Sequence, residues 1–141
     1  EDLVECVSLG IDLFDCALPT RVARNAALYT RSGRINIDAA RYRGVDSTVE
    51  DSCDCYTCQH FTVGYLHHLF RARELLALRL ATIHNLRFIA RLMDEMRRAI
   101  QDGNLKTYAC DFLASYRPAN ENVRREQRRR ESEVHQKTSL P

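Results

Sequence analysis

Apolar residues recur along this chain with more than one period, and the changes of period divide it. In residues 1–9, Leu3, Val4 and Val7 fall at helical spacing behind Glu1 and Asp2, acids that a helix N-terminus favours. Gly10 follows, as a helix-terminating glycine does. Residues 11–18 are a short apolar run bounded by Gly10 and Pro19, the pattern of a buried strand. Helix, glycine and buried strand make one α/β unit, the last step of a parallel sheet. A parallel strand needs neighbours, and none is readable in the rest of the chain, so its barrel or sheet partners are expected upstream.

Residues 20–52 are irregular, with short strands expected at residues 27–30 and 34–37 around a Ser32-Gly33 turn. From residue 63 to 102 the period becomes helical, and the spacing predicts two helices broken near residues 72–74. In the second, Leu76, Leu80, Ile83, Leu86, Ile89, Met93, Met96 and Ile100 form one apolar stripe, with Arg79, Arg87, Asp94, Arg97 and Arg98 away from it. Gly103 ends that helix, and residues 105–116 read as a shorter amphipathic one. Beyond Pro118 the chain is Arg/Glu-rich without a core face, which reads as disorder or frayed helix. Four parts are therefore expected: 1–20 a helix–strand unit, 21–73 a small subdomain of irregular strands and a short helix that carries the cysteine cluster, 74–117 closing helices, and 118–141 a polar tail.

Chemistry enters most sharply at Cys53-Asp54-Cys55-Tyr56-Thr57-Cys58, where three of the six cysteines fall within six residues. A tight knuckle of this kind brings three sulfurs together, and Cys₃His is a standard ligand set for structural zinc. The fourth ligand must come from a rigid element elsewhere. His84, on a helix whose other face is apolar, is the candidate. His60 follows Cys58 too closely to complete a tetrahedron easily, whereas His67 and His68 could reach. Disulfides fit poorly, because nothing indicates a secretory context and knuckle cysteines pair badly with one another. Four protein ligands close the site, so the zinc is expected to be structural.

The 141 residues fit one modest domain or a piece of a larger one, and a chain opening on Glu1 is expected to have been processed or cut from something longer. The opening lacks a signal-peptide pattern, and no run approaches the roughly 18 apolar residues of a membrane span. No membrane partner is expected. The net charge of +2 hides an uneven distribution. Residues 1–16 carry five acids and no Lys or Arg; residues 17–44 carry six arginines against Asp38 alone; residues 117–130 carry six arginines against Glu121 and Glu126. Basic patches of this kind suit a polyanion such as nucleic acid. Asp15 lies near the C-terminal end of the expected strand, where parallel α/β folds carry their active sites. A carboxylate there can attack an anomeric carbon as in retaining glycosidases, although capping or ion pairing is the commoner use. Arg21 and Arg24 follow at a spacing that suits phosphate contacts.

Taken together, GIDLFDCALPTRVARN (10–25), CDCYTC (53–58), YLHHLF (65–70) and TIHNLRF (82–88) resemble the C-terminal third of bacterial tRNA-guanine transglycosylases, from residue 1 to about 116. The resemblance implies a cytoplasmic enzyme that exchanges the wobble guanine of certain tRNAs for a 7-deazaguanine base, on the path to queuosine. It implies a TIM barrel with an inserted zinc subdomain, with residues 1–9 as the seventh barrel helix, 11–18 as the eighth strand, and a closing helix after His84. By the same resemblance Asp15 is the nucleophile on the ribose. Arg21 and Arg24 contact the anticodon loop, Cys53, Cys55, Cys58 and His84 hold the zinc, and Tyr65 and His68 make homodimer contacts. The family's general acid/base aspartate and most of its base pocket would precede Glu1, so the chain alone is expected to be inactive. Two departures stand out. Members usually have Gly where this chain has Ala26, and a basic residue where it has Asp38. The rival expectation is a non-catalytic tRNA-binding zinc subunit of the same fold.

Overall fold

The computed structural model describes residues 1–117. The Arg/Glu-rich tail expected from residue 118 lies outside the described residues. The elements run α1 (Asp2–Ser8), α2 (Leu18–Arg24), β1 (Ala27–Thr30), β2 (Gly33–Asn36), a 3₁₀ turn at Ala40–Tyr42, α3 (Tyr56–His60), α4 (Val63–Arg71), α5 (Leu75–Gln101) and α6 (Leu105–Ser115).

Local chemistry accounts for some of these boundaries. The Thr62 side chain accepts a hydrogen bond from the Tyr65 N–H and caps α4. Arg73 at φ +58° breaks the chain between α4 and α5, within the expected break at 72–74. β1 and β2 pair antiparallel in the register Ala27↔Asn36, Leu28↔Ile35, Tyr29↔Arg34 and Thr30↔Gly33. Gly33 cannot be another residue without movement. Its φ is +131°, and a Cβ there would stand 2.1 Å from the Arg117 carbonyl oxygen, where the chain beyond α6 returns to the hairpin. The Arg117 N–H donates to the Ser32 carbonyl at 3.1 Å on that return.

The described residues bury two apolar clusters. One gathers Leu28, Ile37, Val49, Leu66, Leu69, Leu80 and the knuckle cysteines. The other gathers Val4, Val22, Tyr29, Phe88, Leu92, Met96 and Phe112. α5, 27 residues and so about 40 Å long, runs through both. The hairpin divides them, because successive strand side chains face opposite ways. Leu28 enters the first cluster, while Tyr29 enters the second and stacks on Phe88 at 5.6 Å.

Two expectations need correction. The first is the buried strand at residues 11–18. That segment forms no strand; Ile11, Leu13 and Leu18 are exposed, and α2 already begins at Leu18 with Pro19 in its first turn. A strand exists only as a member of a sheet, and no described strand pairs with this segment. The second concerns the face of α5. The helix is present, but Leu76, Leu86 and Ile100 are largely exposed, and the buried line runs Ala77, Leu80, Ala81, His84, Asn85, Phe88, Leu92, Met96, Ala99. Two polar residues occupy the middle of the buried face, so an apolar-only pattern places it to one side.

Candidate metal centre and the surface around it

The knuckle forms because Cys55 ends an extended stretch and caps the single turn of α3, its sulfur accepting from the Cys58 N–H at 3.3 Å. Thr57, fully buried between the ligands, donates its hydroxyl to the Leu80 carbonyl at 2.7 Å and ties the knuckle to α5. One turn further along α5, His84 points Nδ1 at all three sulfurs: 3.8 Å to Cys53, 3.6 Å to Cys55 and 3.3 Å to Cys58. The four ligand atoms lie within 4.8 Å of one another, and all four residues are buried. In tetrahedral zinc, bonds of about 2.3 Å to sulfur and 2.05 Å to nitrogen separate S from N by about 3.6 Å. The observed separations bracket that value, and the set fits a structural zinc ion.

His84 Nε2 lies 2.7 Å from the Tyr29 carbonyl, which can only accept, so Nε2 carries the proton and leaves Nδ1 to the sulfurs. Burial alone would pull the imidazole pKa down. Its hydrogen bonds to Cys53, Cys55 and the Tyr29 carbonyl outweigh this and push it up to about 10. Cys55 is held down to about 3, chiefly by the hydrogen bond from Cys58, whose own thiol is pushed up by that same contact and by burial. Zinc takes thiolates and an imidazole nitrogen without its proton, so a cation bound here would displace protons from the cluster. Bound zinc would supply folding energy by cross-linking the knuckle to α5. At the rim, the Arg87 guanidinium grips Asp54, between two of the cysteines, through bonds of 2.7 and 2.6 Å.

Among the described residues, the other histidines are engaged elsewhere or face outward. His67 is buried with Nδ1 2.9 Å from the Ile37 carbonyl, His60 lies 3.0 Å from the Tyr56 carbonyl, and His68 is exposed.

Beside His84, Asn85 is fully buried and makes three hydrogen bonds. Its Nδ2 donates to the Pro19 and Ala27 carbonyls, both at 3.0 Å, and its Oδ1 accepts from the Tyr29 N–H at 3.0 Å. Tyr29 thus turns both backbone polar groups away from β2, and His84 and Asn85 satisfy one each. Sequence reasoning missed Asn85. Its signal is a polar residue at a core position of the α5 period, next to a candidate ligand.

Asp15 is exposed on the unpaired segment and makes no hydrogen bond or ion pair among the described residues; α2 has no side-chain cap. Arg21 and Arg24 are exposed on α2, whose other face buries Val22 and Ala23. Asp38 pairs loosely with Arg71 at 3.5 Å. Ala26 sits at φ +57°, a left-handed conformation that accounts for a glycine preference there. Tyr65 is 39 % exposed and stacks on Phe61 at 5.4 Å, Phe61 meets Tyr56 edge-on at 5.8 Å, and Tyr56 stacks on His60 at 4.4 Å. No described helix is long and apolar enough to cross a membrane.

Comparison with known proteins converges on one family. The family model described as queuine tRNA-ribosyltransferase matches residues 1–118. A queuine tRNA-ribosyltransferase of Dehalococcoides mccartyi is 51% identical over 130 residues, covering 92% of this chain and 33% of that protein. One from Dictyoglomus turgidum is 52% identical over 116 residues, covering 82% of this chain and 30% of that protein. One from Helicobacter hepaticus is 50% identical over 114 residues, covering 81% and 30% respectively. The chain spans about a third of the length of these curated relatives. With a closed Cys₃His cluster at the positions the sequence marks, and a family match across all the described residues, the chain belongs to the queuine tRNA-ribosyltransferase family.

Proposed function

We propose that this chain is the C-terminal part of a tRNA-guanine transglycosylase and that Asp15 is its nucleophile. In this reading a carboxylate oxygen of Asp15 bonds to the ribose anomeric carbon as the C–N bond to the wobble guanine breaks. The incoming 7-deazaguanine nitrogen then displaces the carboxylate and closes the exchange. Protons to and from the bases pass through an acid/base group in the preceding part of the polypeptide. α2 presents Arg21 and Arg24 to the anticodon loop. Residues 1–20 supply the last helix of a TIM barrel and the segment that becomes its eighth strand only beside neighbouring strands of the preceding part, 21–73 are its zinc subdomain and 74–117 its closing helices. The aromatic cluster around Tyr65, with His68 beside it, is the homodimer face of a cytoplasmic enzyme.

The observation that carries the reading is the state of Asp15. The commoner uses of such a residue, capping and ion pairing, are both unmet among the described residues. It stands on a segment whose apolar side chains are open, Leu13 at 89 % and Ile11 at 45 %, as on a barrel strand awaiting its neighbours. A binding subunit would have no use for such a carboxylate.

The test is exchange of labelled guanine into tRNA by a family-length polypeptide that carries this chain. Asp15→Asn should abolish exchange and leave tRNA affinity largely intact, since the change removes charge but hardly alters shape. The 141-residue chain alone should be inactive, because positioning supplies much of the barrier reduction. Normal exchange by the Asn variant would refute the role of Asp15.

A further inference from the structure

We infer that Asn85 is a positioning residue that couples the zinc centre to the helix carrying Arg21 and Arg24. The inference rests, for its RNA consequence, on the reading that α2 faces tRNA. Its structural part stands on geometry alone.

The side chain of Asn85 fastens two points of the chain at once. One is the Pro19 carbonyl in the first turn of α2; the other is β1, through the Ala27 carbonyl and the Tyr29 N–H. Arg21 and Arg24 lie between these two points. The apolar contact of α2, through Val22 and Ala23, is non-directional and would let the helix slide or rotate against α5. Hydrogen bonds are directional, and these start from a side chain with no solvent exposure; those to the Pro19 carbonyl and from the Tyr29 N–H are buried, and that to the Ala27 carbonyl is partly buried. Asn85 therefore sets where on the surface the two guanidinium groups emerge.

Coupling to the metal follows from the neighbouring residue. His84 and Asn85 are consecutive on α5 and hold opposite polar groups of the same residue, the Tyr29 carbonyl and the Tyr29 N–H. The His84 ring is oriented between that carbonyl and the three sulfurs. When the sulfurs and a metal hold the ring, β1 is held at Tyr29, and the Asn85 amide meets both ends of the α2–β1 segment in register. When the metal leaves, the ring loses one of its two attachments, and the clamp on Tyr29 and Pro19 loosens with it. Asn rather than Asp suits the position, since the side chain must donate twice to carbonyls and accept once from an N–H; a carboxylate offers no donor.

Two measurements test this. The first uses the unaltered protein: amide hydrogen exchange is followed while zinc is withdrawn by chelator. The coupling predicts that the amides of α2 lose protection together with the knuckle, while those of α6, which packs on α1 and α5 and is not held by Asn85, keep theirs. Protection of α2 unchanged by metal removal, or α2 and α6 lost in one step, overturns it. The second compares the unaltered protein with Asn85→Leu and Asn85→Asp for zinc content and for the salt dependence of binding to a tRNA anticodon stem-loop. Both variants should keep one zinc, because no ligand changes. Both should bind RNA with a log–log salt slope flatter by roughly 1.4–1.8, the share of two phosphate contacts. A folded, zinc-loaded Asn85→Leu protein with unaltered affinity and slope refutes the positioning role, which mere loss of stability would not mimic. If Arg21→Gln with Arg24→Gln also leaves the slope unmoved while α2 still follows the metal, the reading of α2 as an RNA face fails and the coupling stands.

Discussion

Replacing His84 with alanine removes three things together, and the structure sets the size of each. The first is the fourth zinc ligand. The residue is fully buried, so no solvent molecule can take its place without opening the core. Structural zinc contributes on the order of 10–16 kcal/mol in small zinc domains, as large as the whole stability of a typical domain. The second is the donor to the Tyr29 carbonyl, whose loss leaves a buried acceptor unsatisfied at about 1–3 kcal/mol. The third is the ring volume, a cavity worth roughly 2 kcal/mol at 24 cal/mol per Å³. The last two alone amount to about 3–5 kcal/mol, and any weakening of zinc adds to that. His84→Ala is therefore expected to lose zinc and the knuckle fold in one event, seen as metal content below one per chain and a collapse of the thermal transition. His84→Cys provides the control. Four thiolates are also a standard zinc set, so this variant should keep the metal while losing the Tyr29 hydrogen bond and part of the ring volume, with an intermediate fall in Tm. One zinc per chain with an unchanged Tm in His84→Ala would refute the assignment of the fourth ligand.

The remaining expectations rest on other contacts. Arg21→Gln and Arg24→Gln, on the exposed face of α2, should each flatten the salt dependence of tRNA binding by roughly 0.7–0.9 in log–log slope without moving Tm. Ala26→Gly should stabilise the chain by up to about 1 kcal/mol, because the left-handed backbone at φ +57° costs an L-residue about 1–2 kcal/mol and glycine gives back part of that in unfolded-state entropy; a Tm no higher than the parent's would count against it. Glu95 meets the Arg31 guanidinium through two contacts, one of 2.7 Å, and accepts from the Tyr108 hydroxyl at 2.8 Å. Burial favours the neutral acid, but these partners outweigh it and hold the carboxyl below its ordinary value of 4.5. A depressed folded pKa means that this contribution is present above pH 4.5 and is lost as the pH falls below it. Denaturant midpoints measured from about pH 6 to 3 should thus fall less steeply for Glu95→Gln than for the parent; parallel curves would show that the carboxylate gains nothing from folding.

What could be read from the residues alone was whatever depends on local spacing. Three cysteines within six residues name a metal by ligand chemistry, and the helical period sets α4, α5 and α6 with the break at 72–74 between them. The hairpin is legible from its turn and short apolar runs. Non-local partners decided the rest. Residues 11–18 have the composition of a buried strand and form none, because a strand's backbone bonds must be supplied by a neighbour. The buried face of α5 is centred on His84 and Asn85, which a hydrophobic pattern passes over. They are inside because Tyr29, Pro19 and Ala27, more than fifty residues earlier, present the carbonyls and the N–H that satisfy them. Among the histidines, spacing left His67 and His68 able to reach the cysteines. The fold turns His67 to the Ile37 carbonyl and His84 to the sulfurs. Spacing limits which side chains can reach a metal; only packing chooses which of them is turned toward it, because a buried imidazole must place both nitrogens at once.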